Sequence, residues 1–245
     1  MHELDAGIVV IGNEILSGKT VDTNSPFLAK ELREIGVTLK RVVVIPDELD
    51  IITETVRDFH RQFDIVFTSG GVGPTHDDIT IKGVAYALER QVICHPVLEE
   101  KLRSYLNGRP ANSAYLKMAE APEGAELIED GAVRFPTIKV ENVYVLPGIP
   151  DIFRQKFLAL KSRFAADPYY LKVLYTREYE SVIAGFLNET LREYPEVMLG
   201  SYPKNNDPEY RVKITLESKD KHYVDRAFQH LITLLPEGCV VRTEG

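Results

Sequence analysis

The residues with the clearest chemical potential lie in a glycine-rich segment, residues 68–80, with the sequence TSGGVGPTHDDIT. The segment contains three glycines, which are Gly70, Gly71 and Gly73. Glycines adopt backbone conformations that leave N–H groups free to face a ligand. We expect a helix to begin within residues 75–78, and the positive end of its dipole would favour phosphate. Two adjacent carboxylates, Asp77 and Asp78, would repel phosphate unless a divalent cation lies between them.

These two carboxylates also have structural interpretations. Asp77 could cap the expected helix, and Asp78 could pair with Lys82 one turn later. Successive residues on a helix point about 100° apart, so we expect only Asp78 to face the cleft squarely. His76 could ligate a metal ion, although a single histidine in a loop more often makes hydrogen bonds.

Two further acids follow predicted strands. Glu14 lies in the sequence GNEILSGKT, residues 12–20, which ends like a Walker A phosphate loop. Five residues rather than four separate its glycines, and the next helix is expected only at Asn24, so we reject a phosphate loop of that type. Glu14 could then be a solvated loop acid. Asp47 could cap the helix that follows it.

The surrounding sequence predicts how these acids are positioned. Apolar runs predict strands at residues 7–11, 41–45 and 64–68, with helices at residues 24–35, capped by Asn24, and at residues 51–63. This alternation indicates right-handed crossovers and a parallel sheet, whose ligands bind at the carboxyl ends of the strands.

The loops that leave this edge of the sheet carry four acids, which are Glu14, Asp47, Asp77 and Asp78. We therefore expect them to lie together. Carboxylate oxygens suit Mg²⁺ or Mn²⁺ bound jointly with phosphate oxygens. Such a cation neutralises a pyrophosphate and activates water, which makes hydrolysis of a phosphoanhydride plausible.

The rest of the chain predicts a second domain. A strand at residues 140–146 leads into a turn rich in glycine and proline, residues 146–150, and a helix at residues 152–164. A boundary near residue 167 divides the chain into domains of residues 1–167 and 168–245. The second domain has the order strand, helix, strand, strand, helix, strand, at residues 170–175, 181–194, 197–202, 209–217, 223–235 and 239–242. This order is typical of a small α+β domain of ferredoxin-like type.

Composition excludes several classes of protein. The 245 residues are 44% apolar and 27% charged, which is ordinary for a soluble globular protein. A net charge of −8 without a basic cluster argues against binding nucleic acid. No apolar run is long enough for a membrane span and the start of the chain shows no leader pattern, so we expect no membrane partner and a cytoplasmic location. The spacing of Cys94 and Cys239 does not suggest zinc.

Three segments together resemble a known family. Residues 12–18 with Asn24, residues 69–80 and residues 146–150 resemble the signatures of the molybdopterin-binding, MoaB/Mog-like family. Within it, the chain resembles the amino-terminal domain of CinA, the competence/damage-inducible protein. It is still more similar to the molybdopterin-binding-like domain of eukaryotic FAD synthase, which also has segments like residues 200–203 and 212–216.

The resemblance implies a three-layer α/β/α domain that binds a phosphorylated pterin or nucleotide at the glycine-rich loop. Asp47 and Asp78 match acids linked to activity in the molybdopterin adenylyltransferase branch. The CinA and FAD synthase branches are associated with metal-dependent hydrolysis of ADP-ribose or FAD, with potassium as a helper. The 245 residues do not include the amidase domain of CinA or the FAD-synthesising domain, so we expect neither activity. Asn13 replaces the Thr or Asp that relatives have beside Glu14.

The favoured hypothesis is a metal-dependent nucleotide pyrophosphatase acting on ADP-ribose or FAD. One alternative is binding or adenylylation of molybdopterin, and another is a non-catalytic nucleotide-binding module. The expected catalytic residues are Asp78, Asp47 and Glu14, and the expected ligands of a Mg²⁺, Mn²⁺ or Co²⁺ ion are Asp78, Asp77 and Glu14. The expected substrate-binding residues are Ser69, Gly70, Gly71, Gly73, Pro74, Thr75, Thr80, Asn24, Pro147 and Gly148. We also expect a homo-oligomer, a dimer or trimer.

Overall fold

A computed structural model of the chain describes residues 3–106, 112–129, 135–204 and 208–245. The chain divides into two compact units, Met1–Ala166 and Asp167–Gly245, which are described separately below. Within the described residues, the helices are all too short or too polar to cross a membrane.

The first unit is built on a six-stranded sheet. Its strands, with those of a small second sheet, are β1 Asp5–Ile11, β2 Thr38–Ile45, β3 Ile65–Ser69, β4 Val92–Cys94, β5 Glu120–Pro122, β6 Glu126–Ile128, β7 Thr137–Val140 and β8 Val143–Leu146. The main sheet has the order β2-β1-β3-β8-β7-β6, and β4 pairs with β5 separately. Strands β2, β1, β3 and β8 are parallel to one another, while β7 and β6 pair in antiparallel fashion. The prediction of a mostly parallel sheet is confirmed.

The helices of the first unit are α1 Asn13–Leu16, α2 Asn24–Glu34, α3 Leu49–Gln62, α4 Thr80–Ala87, α5 Pro96–Leu106, α6 Ser113–Lys117 and α7 Pro150–Leu160, followed by a 3₁₀ helix, Lys161–Phe164. The predicted strand at residues 140–146 is instead a hairpin, because Glu141 takes a positive φ of 53° and turns the chain between β7 and β8.

Alternate residues of the central strands enter two separate cores. Val9 and Val66 pack with Val56 of α3 on one side of the sheet. On the other side, Val10 and Phe67 pack with the apolar faces of α2 and α7. Because strand side chains alternate between the two faces, a strand covered on both sides must be apolar throughout. The predicted three-layer α/β/α architecture is therefore confirmed.

The second unit contains β9 Tyr170–Thr176, α8 Glu180–Glu193, β10 Met198–Pro203, β11 Val212–Ser218, α9 Lys221–Leu234 and β12 Val240–Glu244. Its antiparallel sheet has the order β10-β11-β9-β12. Strand β11 thus lies between β9 and β10, which is the split arrangement of the expected ferredoxin-like fold. Val212, Ile214 and Leu216 pack into the core with residues of α8 and α9, as their alternation predicts. Thr215 is only 7% exposed, although the same alternation predicts a solvated face there.

Candidate functional site

The carboxyl ends of four parallel strands meet at one edge of the main sheet. Ile11 pairs with Ile45, and Ser69 pairs with both Val10 and Leu146. The loops that follow β2, β1, β3 and β8 therefore lie side by side in that order. Every expected site residue outside α2 and α4 lies on these four connections or at the end of β3, with Glu14 in the one-turn helix α1 that follows β1. We call this region the edge site.

Two glycines of the edge site have conformations that other residues adopt only with strain. Gly70 has φ 104° and Gly71 has φ 62°. A Cβ atom on Gly70 would lie 2.1 Å from the carbonyl oxygen of Ile11, and one on Gly71 would lie 2.2 Å from Oγ1 of Thr80. The loop therefore needs glycine at both positions, because left-handed backbone and close contact each exclude a side chain.

Backbone N–H groups of this loop remain available to a ligand. The N–H of Gly70 donates to the carbonyl of Leu146 at 3.2 Å, so it is not one of them, contrary to our expectation. The N–H groups of Gly71, Val72 and Gly73 have no hydrogen-bond partner among the residues that the structure describes. These three residues are partly exposed. Consecutive unpaired amides of this kind form an anion-binding surface.

The two aspartates of the loop do not cap a helix. Helix α4 begins at Thr80, and its N-cap position is Ile79 without a side-chain cap. The Asp78 carboxylate instead accepts hydrogen bonds from the N–H of Thr75, at 2.8 Å, and from its hydroxyl. Within the described chain Asp78 makes no ion pair with Lys82, whose ammonium lies 5.5 Å from the ring centroid of Tyr86.

Asp77 is exposed to solvent and its charge is stabilised locally. A hydrogen bond from the Thr75 side chain lowers the pKa of Asp77 below its ordinary value, and the backbone N–H of Asp77 lowers that pKa further. The same hydroxyl donates to Asp78, so Thr75 influences both carboxylates. His76 is 98% exposed and lies 3.8 Å from Asp77, without the support that a metal-ligating histidine needs.

Asp47 and Glu14 occupy adjacent loops at the other end of the edge site. Asp47 does not cap α3, whose N-cap position is Glu48. Its carboxylate accepts the N–H of Asn13 at 2.8 Å, next to Glu14 in the chain. Because this contact uses the main chain of residue 13, it does not depend on the side chain at that position. The carboxylate of Glu14 lies over Gly12, where a Cβ atom would be 2.5 Å from Oε1.

Asn24 joins the loops that follow β3 and β8. Its side-chain amide donates to the hydroxyl of Ser69 and to the carbonyl of Gly148, both at 2.9 Å. Asn24 was expected to cap α2, but Asp22 accepts the N–H groups of Asn24 and Ser25 at that helix start. The Asn24 side chain is thereby freed to hold the two loops together.

Burial separates the remaining expected residues into two groups. Thr80, Ser69 and Asn24 are between 0% and 5% exposed, so they support the loops from within. Thr80 does so through its N–H and hydroxyl, which donate to the carbonyls of Gly71 and Gly70. Pro74, Thr75, Pro147 and Gly148 are at least partly exposed and can meet a ligand.

The acids of the edge site do not form a complete metal cage. Among the described residues, no three side chains of His, Cys, Asp or Glu come close enough together to hold a metal ion. Asp47 and Asp78 each use one oxygen in the hydrogen bonds to Asn13 and Thr75. Each carboxylate therefore keeps one oxygen for a cation, which suits an ion that takes its other ligands from phosphate and water.

Lys117 is a candidate residue that the sequence patterns did not identify. Its ammonium donates to the carbonyl of Thr75, and its charge contributes to the lowered pKa of Asp77. The two residues are 42 positions apart, and no motif surrounds Lys117 in α6. Only the tertiary structure brings this positive charge to the glycine-rich loop.

Two families match consecutive parts of the chain. The family described as probable molybdopterin binding domain matches residues 7–166, and the FAD synthase middle domain matches residues 168–244. A protein from Archaeoglobus fulgidus is 35% identical over 229 residues, which cover 93% of this chain and 96% of that protein.

A probable FAD synthase from Caenorhabditis briggsae is 30% identical and covers 90% of this chain, which spans only 47% of that relative. The chain thus corresponds to about half of the FAD synthase relatives. The crystal structure of a CinA protein of unknown function from Thermoplasma acidophilum is similar with a TM-score of 0.61 and 30% identity. That similarity covers 65% of this chain and 97% of the other.

Substitution of Gly71 by Ala should destabilise the first unit more than the same change at Gly18. Both glycines have positive φ, 62° and 71°, so alanine is strained at either position. Only at Gly71 does the new methyl group meet Thr80, whereas no atom lies within 4 Å at Gly18. We expect the free energy of unfolding to fall by at least about 1 kcal/mol more in Gly71→Ala, as measured by urea unfolding followed by circular dichroism. Equal losses would refute the close contact.

Thr75→Val should raise the pKa of Asp77 towards its ordinary value, because the hydroxyl is the largest cause of its lowering. Lys117→Gln should raise the pKa of Asp77 less, because the charge of Lys117 is a smaller cause of the lowering. A carboxylate with a lowered folded pKa contributes stability above its unfolded pKa, and this contribution disappears as pH falls through the folded pKa. The cost of Thr75→Val should therefore shrink in acid. Titration of the side-chain ¹³C shift of Asp77 gives the pKa, and an unchanged value in Thr75→Val would contradict this assignment.

Proposed function

The chain belongs to the family of probable molybdopterin binding domains, and we propose that it is a metal-dependent nucleotide pyrophosphatase acting on dinucleotides of the ADP-ribose or FAD type. The observation that carries this proposal is the row of three unpartnered N–H groups at residues 71–73, in the described part of the chain, with carboxylates on the same loop and the neighbouring one. Amides alone would suit any anion. Amides beside carboxylates suit an anion that arrives with a cation.

The glycine-rich loop would hold the diphosphate. Backbone N–H groups donate to phosphate oxygens without a side chain between them, which allows the closest approach at Gly71 and Gly73. The ammonium of Lys117 lies at the same loop and adds a positive charge. These donors orient both phosphorus atoms and lower the cost of binding a dianion to a protein of net charge −8.

Asp78, with either Asp47 or Glu14, would hold the divalent cation together with the diphosphate. Mg²⁺ is usually bound through one or two carboxylates and the substrate phosphates, which agrees with the free oxygens of Asp47 and Asp78. A divalent cation supplies charge neutralisation at the phosphates and makes water more nucleophilic. Asp77, 59% exposed, extends the acidic surface beside Asp78.

The reaction would break one P–O bond of the diphosphate bridge. A water oxygen adds to one phosphorus, the bridging oxygen leaves with the other phosphate, and the water proton passes to solvent. ADP-ribose gives AMP and ribose 5-phosphate, and FAD gives AMP and FMN. The relatives with the name probable FAD synthase favour a flavin dinucleotide as substrate, although the chain covers only about half of their length.

A second candidate function is supported by the family description itself. A phosphorylated pterin presents the same anionic group as a nucleotide, so the edge site suits binding or adenylylation of molybdopterin as well. A non-catalytic nucleotide-binding module is the third possibility. The three functions differ in turnover and in the fate of AMP.

Purified protein should release AMP from ADP-ribose or FAD in the presence of Mg²⁺, Mn²⁺ or Co²⁺, with K⁺ added. Asp78→Asn should still bind the dinucleotide but release AMP at least about a hundredfold more slowly, because the edge site loses a charged oxygen ligand. AMP is measured by liquid chromatography, and binding by calorimetry.

A matched control is Asp58→Asn, which removes an exposed acid in the second half of α3 and leaves the edge site unchanged. Its rate should equal that of the wild type. Absence of AMP release with every metal tested would refute the pyrophosphatase. Binding without turnover in the wild type would favour the non-catalytic module, and transfer of AMP to molybdopterin would favour the second candidate.

A further inference from the structure

The second unit has a cavity of about 650 Å³ at one end of its sheet. It lies where β9 and β10 end and where β11 begins. Its lining includes the basic residues Arg177, Lys204 and Arg211 together with Tyr179 and Tyr210. The volume is within the range of small-molecule sites, about 300–1,000 Å³. The family that matches this part of the chain is described only as the FAD synthase middle domain.

Backbone hydrogen bonds place the three basic residues side by side. The N–H of Arg211 donates to the carbonyl of Thr176 at 2.8 Å, and the carbonyl of Arg211 accepts the N–H of Lys204 at 2.7 Å. Arg177 directly follows Thr176. Arg177 and Arg211 therefore lie next to each other, just beyond the ends of the neighbouring strands β9 and β11, and like charges opposite one another destabilise a sheet. Such an arrangement is retained at a cost unless an anion relieves it.

The nearby carboxylates of Glu209 and Glu180 have partners other than Arg177 and Arg211 among the described residues. Glu209 pairs with Arg242 at 3.0 Å, and Glu180 accepts the hydroxyl of Ser201 at 2.6 Å. Arg177 donates only to the main-chain carbonyl of Glu209, at 3.3 Å. Within the described residues, neither Arg177 nor Arg211 forms an ion pair. Apart from the Nε–H of Arg177, the donors of these two guanidinium groups therefore remain for an external anion, in a chain whose net charge is −8.

The cavity also offers a flat aromatic surface. The guanidinium carbon of Arg211 lies 4.2 Å from the ring centroid of Tyr179, which is 59% exposed. Tyr210 packs edge to face against Tyr175, with ring centroids 4.8 Å apart. A planar ligand can stack on such exposed rings, and a stacked arginine is held ready for two parallel hydrogen bonds to an oxyanion.

We propose that this cavity is a second ligand site, which binds a mononucleotide through its phosphate at Arg177 and Arg211 and through its base at Tyr179. A phosphate alone would use the charges but not the ring, and a nucleoside alone would use the ring but not the charges. The site lies entirely within the second unit. It does not depend on hydrolysis at the edge site.

Titration of the ¹⁵N-labelled full chain with AMP tests this proposal by NMR. AMP should shift the amide signals of residues 176–180 and of Lys204 and Arg211, and both adenosine and inorganic phosphate should bind there more weakly than AMP. Arg177→Ala and Arg211→Ala should each weaken AMP binding at these signals by about tenfold or more. Tyr179→Ala should weaken AMP binding without affecting phosphate.

Arg192→Ala is the matched control, since it removes an exposed arginine of α8 outside the cavity and should leave the AMP affinity unchanged. If signals throughout the spectrum show that Arg211→Ala disturbs the fold, Arg177→Ala serves as the test instead. The proposal is overturned if AMP does not shift these signals, if adenosine binds as tightly as AMP, or if Arg192→Ala weakens binding equally. The amide signals of residues 71–73, read in the same spectra, report binding at the edge site separately.

Discussion

The close contact between Gly70 and Gly148 is the constraint on which the edge site depends. A Cβ atom on Gly148 would lie 3.2 Å from Cα of Gly70, so the loops after β3 and β8 touch through their main chains. The pairing of Ser69 with Leu146 brings them together, and the buried amide of Asn24 holds them there. Because Leu146, Gly148 and Asn24 fix the glycine-rich loop, the N–H groups of the loop can remain unpaired and still have a defined position.

The sequence predicts the supporting elements better than the site. Strands such as β1 and β3 are continuous apolar runs, and α3 buries Ile52, Val56 and Phe59 at helical spacing, so period and length identify them. The predicted start of α4, within residues 75–78, was wrong. Asp78 accepts a hydrogen bond from the main chain of Thr75, and such local bonds compete with a helix. The contact between Asp47 and Asn13 could not be predicted, because the two residues are distant in the sequence. The contact between Lys117 and Thr75 could not be predicted for the same reason.

The two proposed sites would recognise phosphate through different groups. At the edge site, main-chain amides lie beside carboxylates, so recognition of phosphate requires a cation as well. In the second unit, the guanidinium groups of Arg177 and Arg211 are available directly. A metal-assisted site suits bond cleavage, because the cation stabilises developing charge. A guanidinium site suits reversible recognition of a monoester.

The central claim is that the amides at residues 71–73 hold a diphosphate together with a cation. The most direct measurement is the ¹H–¹⁵N spectrum of the chain with an ADP-ribose analogue whose bridging oxygen is replaced by CH₂, titrated with and without Mg²⁺. We expect the amide protons of Gly71, Val72 and Gly73 to move downfield when the analogue binds, and we expect Mg²⁺ to strengthen that binding. Saturation by the analogue with these three signals unmoved would contradict it.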